Sequence, residues 1–292
     1  MAFAVSPGSG DGLFECQSYE SYSADDHAAW SQIYGRMKEP WDRYASERFL
    51  EGLQSLHLPP ARVPRLDEVN AFLLPRSGFR ASAVSGRMPV CLFFDCLRNR
   101  VLPTATGIRR DGSSDHTSEL NIFHDIAGRV PMHADRSFAE TLLALGECAH
   151  IAAERAGQVR DRAKRLCGLM SMLKALARFY WFAVDFGLVR YGNRLKAYGS
   201  GLLSSAGEIE RAIGSPRVQR CELRLDWVIH QPFEANHGQP LLFIVESFDH
   251  LRELTATLER WLRQGRLDDV ARGEPELSPA GLEIFLEACG SH

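Results

Sequence analysis

One short stretch of the chain carries side chains of the kind that bind metals or transfer protons. In FHDIAGRVPMHADRSF (123–138), His124 is followed by Asp125, and Arg129 stands five residues after the histidine. Imidazole and carboxylate groups serve as metal ligands and as general acids or bases. A guanidinium has five donors, no lone pair and a permanent charge. The stretch therefore holds part of a metal site, with a cation where a further ligand could stand.

The local sequence also predicts where this stretch changes direction. Gly128 and Pro131 indicate that the helix carrying His124 ends near residue 128. On a continuous α-helix, a residue five places on is rotated by roughly 140° from the first. Arg129 would therefore meet His124 only if the chain turned at Gly128. His133 lies beyond Pro131, and we expect it at the surface.

A second acidic residue, Asp185, lies inside the apolar run YWFAVDFGL (180–188). A carboxylate is rarely buried without a partner, because removing its charge from water costs several kcal/mol. A metal, a histidine or an arginine should therefore meet Asp185. The alternative is a polar stripe on a surface helix, for which the flanking residues leave little room.

Two polar segments could bind a carboxylate. Arg109, in IRRDGSSDHT (108–117), would form a bidentate clamp if it faced inward, and otherwise belongs to a solvated turn. RLKAYGSGLLSSAGE (194–208) could form a backbone-lined wall in which Ser204 or Ser205 presents a hydroxyl, or it could be an ordinary loop.

The bulk composition is that of a globular cytoplasmic protein. The chain has 292 residues, 45% hydrophobic and 24% charged, and a net charge of −3, which argues against a nucleic-acid partner. Its seven cysteines are scattered without a C-x-x-C pair, as expected of reduced thiols. Neither a secretion signal nor an apolar run of about 18 residues is present, so we expect no membrane partner.

Helical periodicity dominates the chain. Residues 1–25 are rich in Ser, Gly and Asp and are predicted to be a flexible N-terminus, and residues 26–292 to be one domain. Helices are predicted at 26–56 (two, interrupted near Pro40, the first capped by Asp26), 64–79, 135–156, 160–189 and 247–265, and strands at 220–230 and 239–247.

Five motifs together resemble one known family. They are SGFRASAVSG (77–86), FHDIAGRVPMHADRSFA (123–139), FYWFAVDFGL (179–188), KAYGSGLLSSAGE (196–208) and QPLLFIVESF (239–248). In order and spacing they resemble the catalytic domain of the pterin-dependent aromatic amino acid hydroxylases, over about residues 27–262. The resemblance implies a mainly α fold with a small β-ribbon. It also implies a bacterial-type, stand-alone monooxygenase domain, monomeric or weakly dimeric.

In that family, two histidines and a glutamate hold Fe(II) as a facial triad with open positions. By motif alignment, His124 matches the first histidine, Arg129 the second and Asp185 the glutamate. Asp125 matches a glutamate near the pterin. The first histidine is thus kept as His124, the glutamate is shortened to Asp185 and the second histidine is replaced by Arg129. This set argues against Fe(II).

The resemblance also assigns residues to the amino acid and to a tetrahydropterin. The substrate group is Arg109 at the carboxylate, Thr117 and Ser204 as assisting hydroxyls, Trp181 beside the ring, and Leu120 in place of a proline that walls the ring. The pterin group is Gly86, Met88, Phe93, Asp125 and Tyr180. The segment TSELN (117–121) and the pterin-loop residues RMPV (87–90) depart from the family pattern.

Three hypotheses follow for a protein that binds a free aromatic amino acid. We favour an enzyme in which Arg129 pairs with Asp185 and Asp125 and takes the place of iron. Its chemistry would use His124 and Asp125 as acid and base, or a reduced pterin directly. In the second hypothesis a metal stays at His124 and Asp185, completed by Asp125, His133 or solvent, in an iron- and pterin-dependent monooxygenase. In the third, the protein binds an amino acid or a pterin without turnover.

Overall fold

Helices form most of the chain, as the sequence predicts. The structure, a computed structural model, describes residues 13–86, 88–108, 121–233 and 238–290. The α-helices are α1 (Ala24–Tyr44), α2 (Glu47–Leu56), α3 (Leu66–Ser77), α4 (Val90–Arg98), α5 (Val130–His133), α6 (Arg136–Gly157), α7 (Arg162–Tyr180), α8 (Ser200–Leu203), α9 (Ala206–Gly214), α10 (Leu225–Val228), α11 (Phe248–Arg263) and α12 (Pro279–Gly290). Two π-helices, His124–Arg129 and Trp181–Asp185, precede α5 and follow α7.

The first long helix differs from its prediction at both marked residues. Ser23, not Asp26, is the N-cap of α1, and Asp26 completes a capping box by accepting from the Ser23 backbone N–H. Pro40 does not interrupt the helix. It is buried beside Trp41, whose indole N–H donates to the Leu203 carbonyl at 2.8 Å, so tertiary contacts hold this last turn in place.

The strands form two small sheets in place of the single ribbon expected. Strands β1 (Arg80–Val84) and β2 (Val101–Ala105) pair in parallel. The second sheet has the order β4-β3-β6-β5, with β3 (Leu188–Tyr191), β4 (Arg194–Ala197), β5 (Gln219–Glu222) and β6 (Leu241–Val245). Only the β3–β4 pair is antiparallel. The predicted strand over 220–230 was wrong beyond Glu222, because the chain leaves β6 there and forms α10.

The described part of the N-terminal segment packs onto the domain. Phe14 forms an antiparallel bridge with Val84, and the Glu15 N–H donates to the Ala83 carbonyl at 3.0 Å. The Tyr19 hydroxyl donates to the Val63 carbonyl. Defined packing therefore begins before residue 26, and residues 1–12 lie outside the described residues.

The core lies where α6 and α7 run side by side. Helix α6 packs against α4, α7 and α11, and α12 covers α4, α6 and α7 at one end. Helix α7 continues directly into the second π-helix, where every residue is buried. The most rigidly enclosed part of the fold thus carries Asp185.

In the parts of the chain that the structure describes, no helix has both the length and the apolar character needed to cross a membrane.

Candidate functional site

A π-helix, not a turn, brings Arg129 onto the face of His124. The predicted helix end near Gly128 was wrong, because the chain continues through His124–Arg129 into α5 without leaving helical conformation. A π-helix closes i→i+5 hydrogen bonds and has more residues per turn than an α-helix, so residues five apart lie closer to the same face than they would on an α-helix. The wider turn therefore achieves the alignment that an α-helix would prevent.

Close packing of glycines joins the two π-helices to α8. A Cβ on Gly128 would lie 3.0 Å from the Ser200 carbonyl oxygen and 3.3 Å from the Ser204 Cβ. A Cβ on Gly199 would lie 2.5 Å from the Asp185 carbonyl oxygen. Only residues without a side chain allow this approach. The two glycines therefore position α8 over both π-helices.

Arg129 lies between two carboxylates in the buried centre of the site. Its Nη1 is 3.0 Å from Asp125 Oδ1, and its Nη2 donates to Asp185 Oδ1 at 3.4 Å. Relative exposures are 1% for Arg129, 5% for Asp125 and 0% for Asp185. The Phe93 ring centroid lies 5.8 Å from the guanidinium carbon. The cation expected to meet Asp185 is thus an arginine.

The two carboxylates differ in acidity although they share one guanidinium. Burial raises the pKa of Asp125, in spite of the Arg129 charge and the Ala105 N–H that donates to it at 2.8 Å. Burial acts the same way on Asp185, but there the Arg129 charge, with help from the Ser200 hydroxyl, lowers the pKa below its usual range. Asp185 is therefore the carboxylate that balances the arginine.

His124 is held by α8 on one side. Its Nδ1 lies 2.9 Å from Ser204 Oγ, and Ser200, one turn earlier, donates to Asp185 Oδ1 at 2.7 Å. Burial and the charge of Arg129 lower the pKa of His124 well below its usual value, so the ring is neutral. Ser204, which the resemblance assigns to the substrate carboxylate, lies within hydrogen-bonding distance of this histidine.

Within the described residues, His124 Nε2 and Asp185 Oδ2 are buried and have no hydrogen-bond partner, and the same holds for His133 Nε2 and Trp181 Nε1. As a whole residue His124 is half-buried, whereas Asp185 is fully buried. No group of three or more His, Cys, Asp or Glu side chains suited to a metal ion occurs in the described part of the chain.

His133 is not at the surface, contrary to expectation. It is 1% exposed, because α5 turns it inward between the rings of Phe79 and Phe138. Its Nδ1 lies 2.9 Å from the Arg129 carbonyl oxygen. Burial, followed by the Arg129 charge, lowers the pKa of His133 to about 3. The residue therefore supports the turn that carries Arg129.

Aromatic rings cover the cluster from the second π-helix. Trp181 is 1% exposed and stacks on Phe233, with centroids 4.1 Å apart and planes at 6°. Phe186 lies against the same indole at 4.7 Å. Trp181, the residue predicted to sit beside a substrate ring, is thus part of an aromatic stack one turn from Asp185.

Most of the residues predicted to contact a pterin are buried and closely packed. Phe93 and Tyr180 are fully buried and meet edge to face at 4.9 Å, and Met88 contacts Cys96. Gly86 is exposed, with a φ of 74°. Phe93 has no accessible ring face here, so a pterin would stack on it only after its neighbours moved.

Three of the predicted substrate residues, Arg109, Thr117 and Leu120, lie outside the described residues. The sequence analysis in turn missed Ser200, the inward orientation of His133 and the stacking of Phe233. Of these three features, only the role of Ser200 could have been suspected from the sequence, because glycines flank it on both sides.

The fold and these motifs agree with comparisons to known proteins. The model of the biopterin-dependent aromatic amino acid hydroxylases matches residues 16–264. The chain belongs to this family. A phenylalanine-4-hydroxylase of Chromobacterium violaceum is 32% identical over 240 residues, which make up 82% of this chain and 76% of that relative. A tyrosine 3-monooxygenase of Rattus norvegicus is 32% identical over 248 residues, 82% of this chain and 46% of that protein.

Solved structures of the family confirm the hydroxylase fold. Phenylalanine hydroxylase from Chromobacterium violaceum with bound oxidised Fe(III) superposes with a TM-score of 0.78 at 30% identity, covering 92% of this chain and 93% of that one. The predicted mainly helical hydroxylase architecture is therefore confirmed.

Proposed function

We propose that the chain binds a free aromatic amino acid at this site and transforms it without a bound iron. The observation that carries the proposal is the position of Arg129, buried between Asp125 and Asp185. A guanidinium has no lone pair for a metal. It also supplies, as part of the chain, the positive charge that the two carboxylates need.

These residues do not fit an Fe(II) triad. The second histidine position holds a cation, and Asp185 already uses Oδ1 for Arg129 and for Ser200. A ferrous ion would be left with His124 and one carboxylate oxygen beside a fixed positive charge. No step of the chemistry is therefore assigned to iron, although the family's solved hydroxylases include one with bound Fe(III).

Proton transfer is the chemistry that the chain's own groups support. His124 is neutral and held at Nδ1 by Ser204, so its Nε2 can accept or donate a proton according to the tautomer. Asp125 is less suited, because Ala105 and Arg129 occupy both of its oxygens. We therefore assign acid–base work to His124, the charge that balances Arg129 to Asp185, and a further contact with the guanidinium to Asp125.

Binding without turnover is a second candidate. The closed packing around Phe93 and Tyr180 supports it, because the family's cofactor is a biopterin and these are the residues predicted to contact it. In this case Trp181 and His124 would serve recognition alone.

The proposal is tested by metal content and product formation together. Protein produced with supplemented iron should contain far less than one iron per chain. It should be stabilised against heat by phenylalanine, tyrosine or tryptophan, and should form product in the presence of a chelator, with or without tetrahydrobiopterin. About one iron per chain with chelator-sensitive hydroxylation would overturn it, and stabilisation without product would favour the binding protein.

Arg129→His is the matched variant for this experiment. It restores an imidazole at the second ligand position while leaving His124 and Asp185 in place. Iron uptake by this variant, but not by the unaltered chain, is the expected result. Equal iron content in both proteins would show that Arg129 does not decide metal binding.

A further inference from the structure

We propose that the bound aromatic ligand carries a hydroxyl on its ring, and that this hydroxyl bridges Asp185 and His124. It donates to Asp185 Oδ2 and accepts from His124 Nε2, in the tautomer with the proton on that nitrogen. The inference rests on the proposed function and names the substrate class of the same site. It concerns the two positions that match iron ligands in the family, here used for hydrogen bonding to a ligand.

The two serines of α8 decide which atoms are available. Ser204 contacts His124 through Nδ1, and Ser200 donates to Asp185 through Oδ1. Ser200 is the first residue of α8 and Ser204 is its C-cap, so the two hydroxyls come from the two ends of one short helix. Each contacts its partner through one atom, which leaves Nε2 of the ring and Oδ2 of the carboxylate without a hydrogen-bond partner.

Both remaining atoms are shielded from solvent and have no hydrogen-bond partner in the described residues. A buried polar group without a partner costs free energy, and a carboxylate oxygen costs more than a neutral atom. His124 and Asp185 also interact electrostatically with each other, so they belong to one cluster. A ligand that supplies a donor to one and an acceptor to the other satisfies both.

The carrier of this hydroxyl is aromatic because the proposed function takes a free aromatic amino acid. Trp181 belongs to the same π-helix as Asp185, but it is 1% exposed and its ring already packs on Phe186 and Phe233, so the stack itself does not select the ligand. A hydroxyl fits better than an ammonium, because Arg129 already balances the charge of Asp185 and a second cation would be repelled.

The test compares three ligands on the unaltered chain, so it does not depend on a variant that folds. Dissociation constants of L-tyrosine, L-phenylalanine and O-methyl-L-tyrosine are measured by calorimetry. L-tyrosine should bind about tenfold tighter or more than the other two, because only its hydroxyl both donates and accepts. Equal affinities for all three would overturn this inference, since water would then satisfy the two atoms, but would leave the proposed function standing. Absence of binding by any of them would overturn the proposed function as well.

Two variants test whether the preference for tyrosine depends on the contact with Asp185. Asp185→Asn should bring the tyrosine-to-phenylalanine affinity ratio close to one, and Ser200→Ala, which releases the carboxylate from α8, should lower the same ratio. Ser77→Ala is the control, because it removes another buried serine hydroxyl, in α3 and outside the site. A ratio unchanged in Asp185→Asn would contradict the assigned contact, whereas a general loss of stability would weaken all ligands alike.

Discussion

At the residue scale, the side chain that distinguishes this site is Arg129. A buried guanidinium between two carboxylates is not by itself a source of stability, because all three groups lose hydration. Removing one of the three groups destabilises the fold, because an uncompensated charge then stays in the interior. The Asp185 charge makes Arg129 contribute to the stability of this fold whatever reaction the site performs.

Arg129→Met should lower the free energy of unfolding by roughly 3–5 kcal/mol, because Asp185 is left buried without its cation. Urea denaturation at pH 7 measures the change. The double variant Arg129→Met, Asp185→Asn removes the charge as well and should recover part of this loss. A double variant less stable than the single one would show that the two residues do not interact as described.

His133 should make the protein less stable in acid. Its folded pKa of about 3 lies below the value of about 6.5 expected for the unfolded chain. The unfolded state therefore binds more protons between these two values, and stability falls as the pH drops from 6.5 towards 3. Above pH 6.5 this contribution is constant.

His133→Asn keeps a donor near the Arg129 carbonyl but does not titrate. It should reduce the slope of unfolding free energy against pH in this window by up to about 1.4 kcal/mol per pH unit. Denaturant titrations at several pH values from roughly 4 to 8 provide the measurement, and the slopes should differ below about pH 6.5 and agree above it. Identical slopes would mean that His133 takes up its proton in the folded state.

At the element scale, the two π-helices hold the site together. Residue type alone predicted that a metal, a histidine or an arginine would meet the buried Asp185, and the family resemblance grouped His124 and Arg129 with it. Neither gave their geometry, because a π-turn has no distinct apolar period and Gly128 predicts a helix end. Long helices such as α6 and α11 were placed within a residue or two, since an amphipathic pattern repeats over several turns.

Gly128→Ala tests the contact between the first π-helix and α8. The added methyl would press on the Ser200 carbonyl and the Ser204 side chain, so we expect a loss of roughly 1–3 kcal/mol. Gly168→Ala, inside α7 with no atom within 4 Å of the new Cβ, is the matched control and should be neutral or stabilising. Equal effects of the two substitutions would remove the argument for close packing at Gly128.

At the scale of the whole molecule, one buried arginine fastens the C-terminal part to the core. Arg178 in α7 is 0% exposed and donates to the carbonyls of Glu274 at 2.8 Å, Ile229 at 3.1 Å and Arg272 at 3.3 Å. These carbonyls come from two distant segments of the chain. Nothing in the sequence marks this role, because backbone acceptors leave no pattern of residue types.

Arg178→Met should release residues 270–276 from α7 while leaving the Arg129 cluster intact. We expect faster cleavage of this segment by a protease under native conditions, followed by mass spectrometry of the fragments. Arg165→Met, on the exposed start of the same helix, is the control and should leave the cleavage rate unchanged. Unchanged cleavage in Arg178→Met would show that the segment is held by other contacts.

The charge at the centre of the site is covalently part of the polypeptide. The charge is present as soon as the chain has been translated and folded. Dialysis or a chelator cannot remove it, and an oxidant cannot change its valence. A cell that is starved of metals would therefore make this centre complete at the same rate as one that is well supplied.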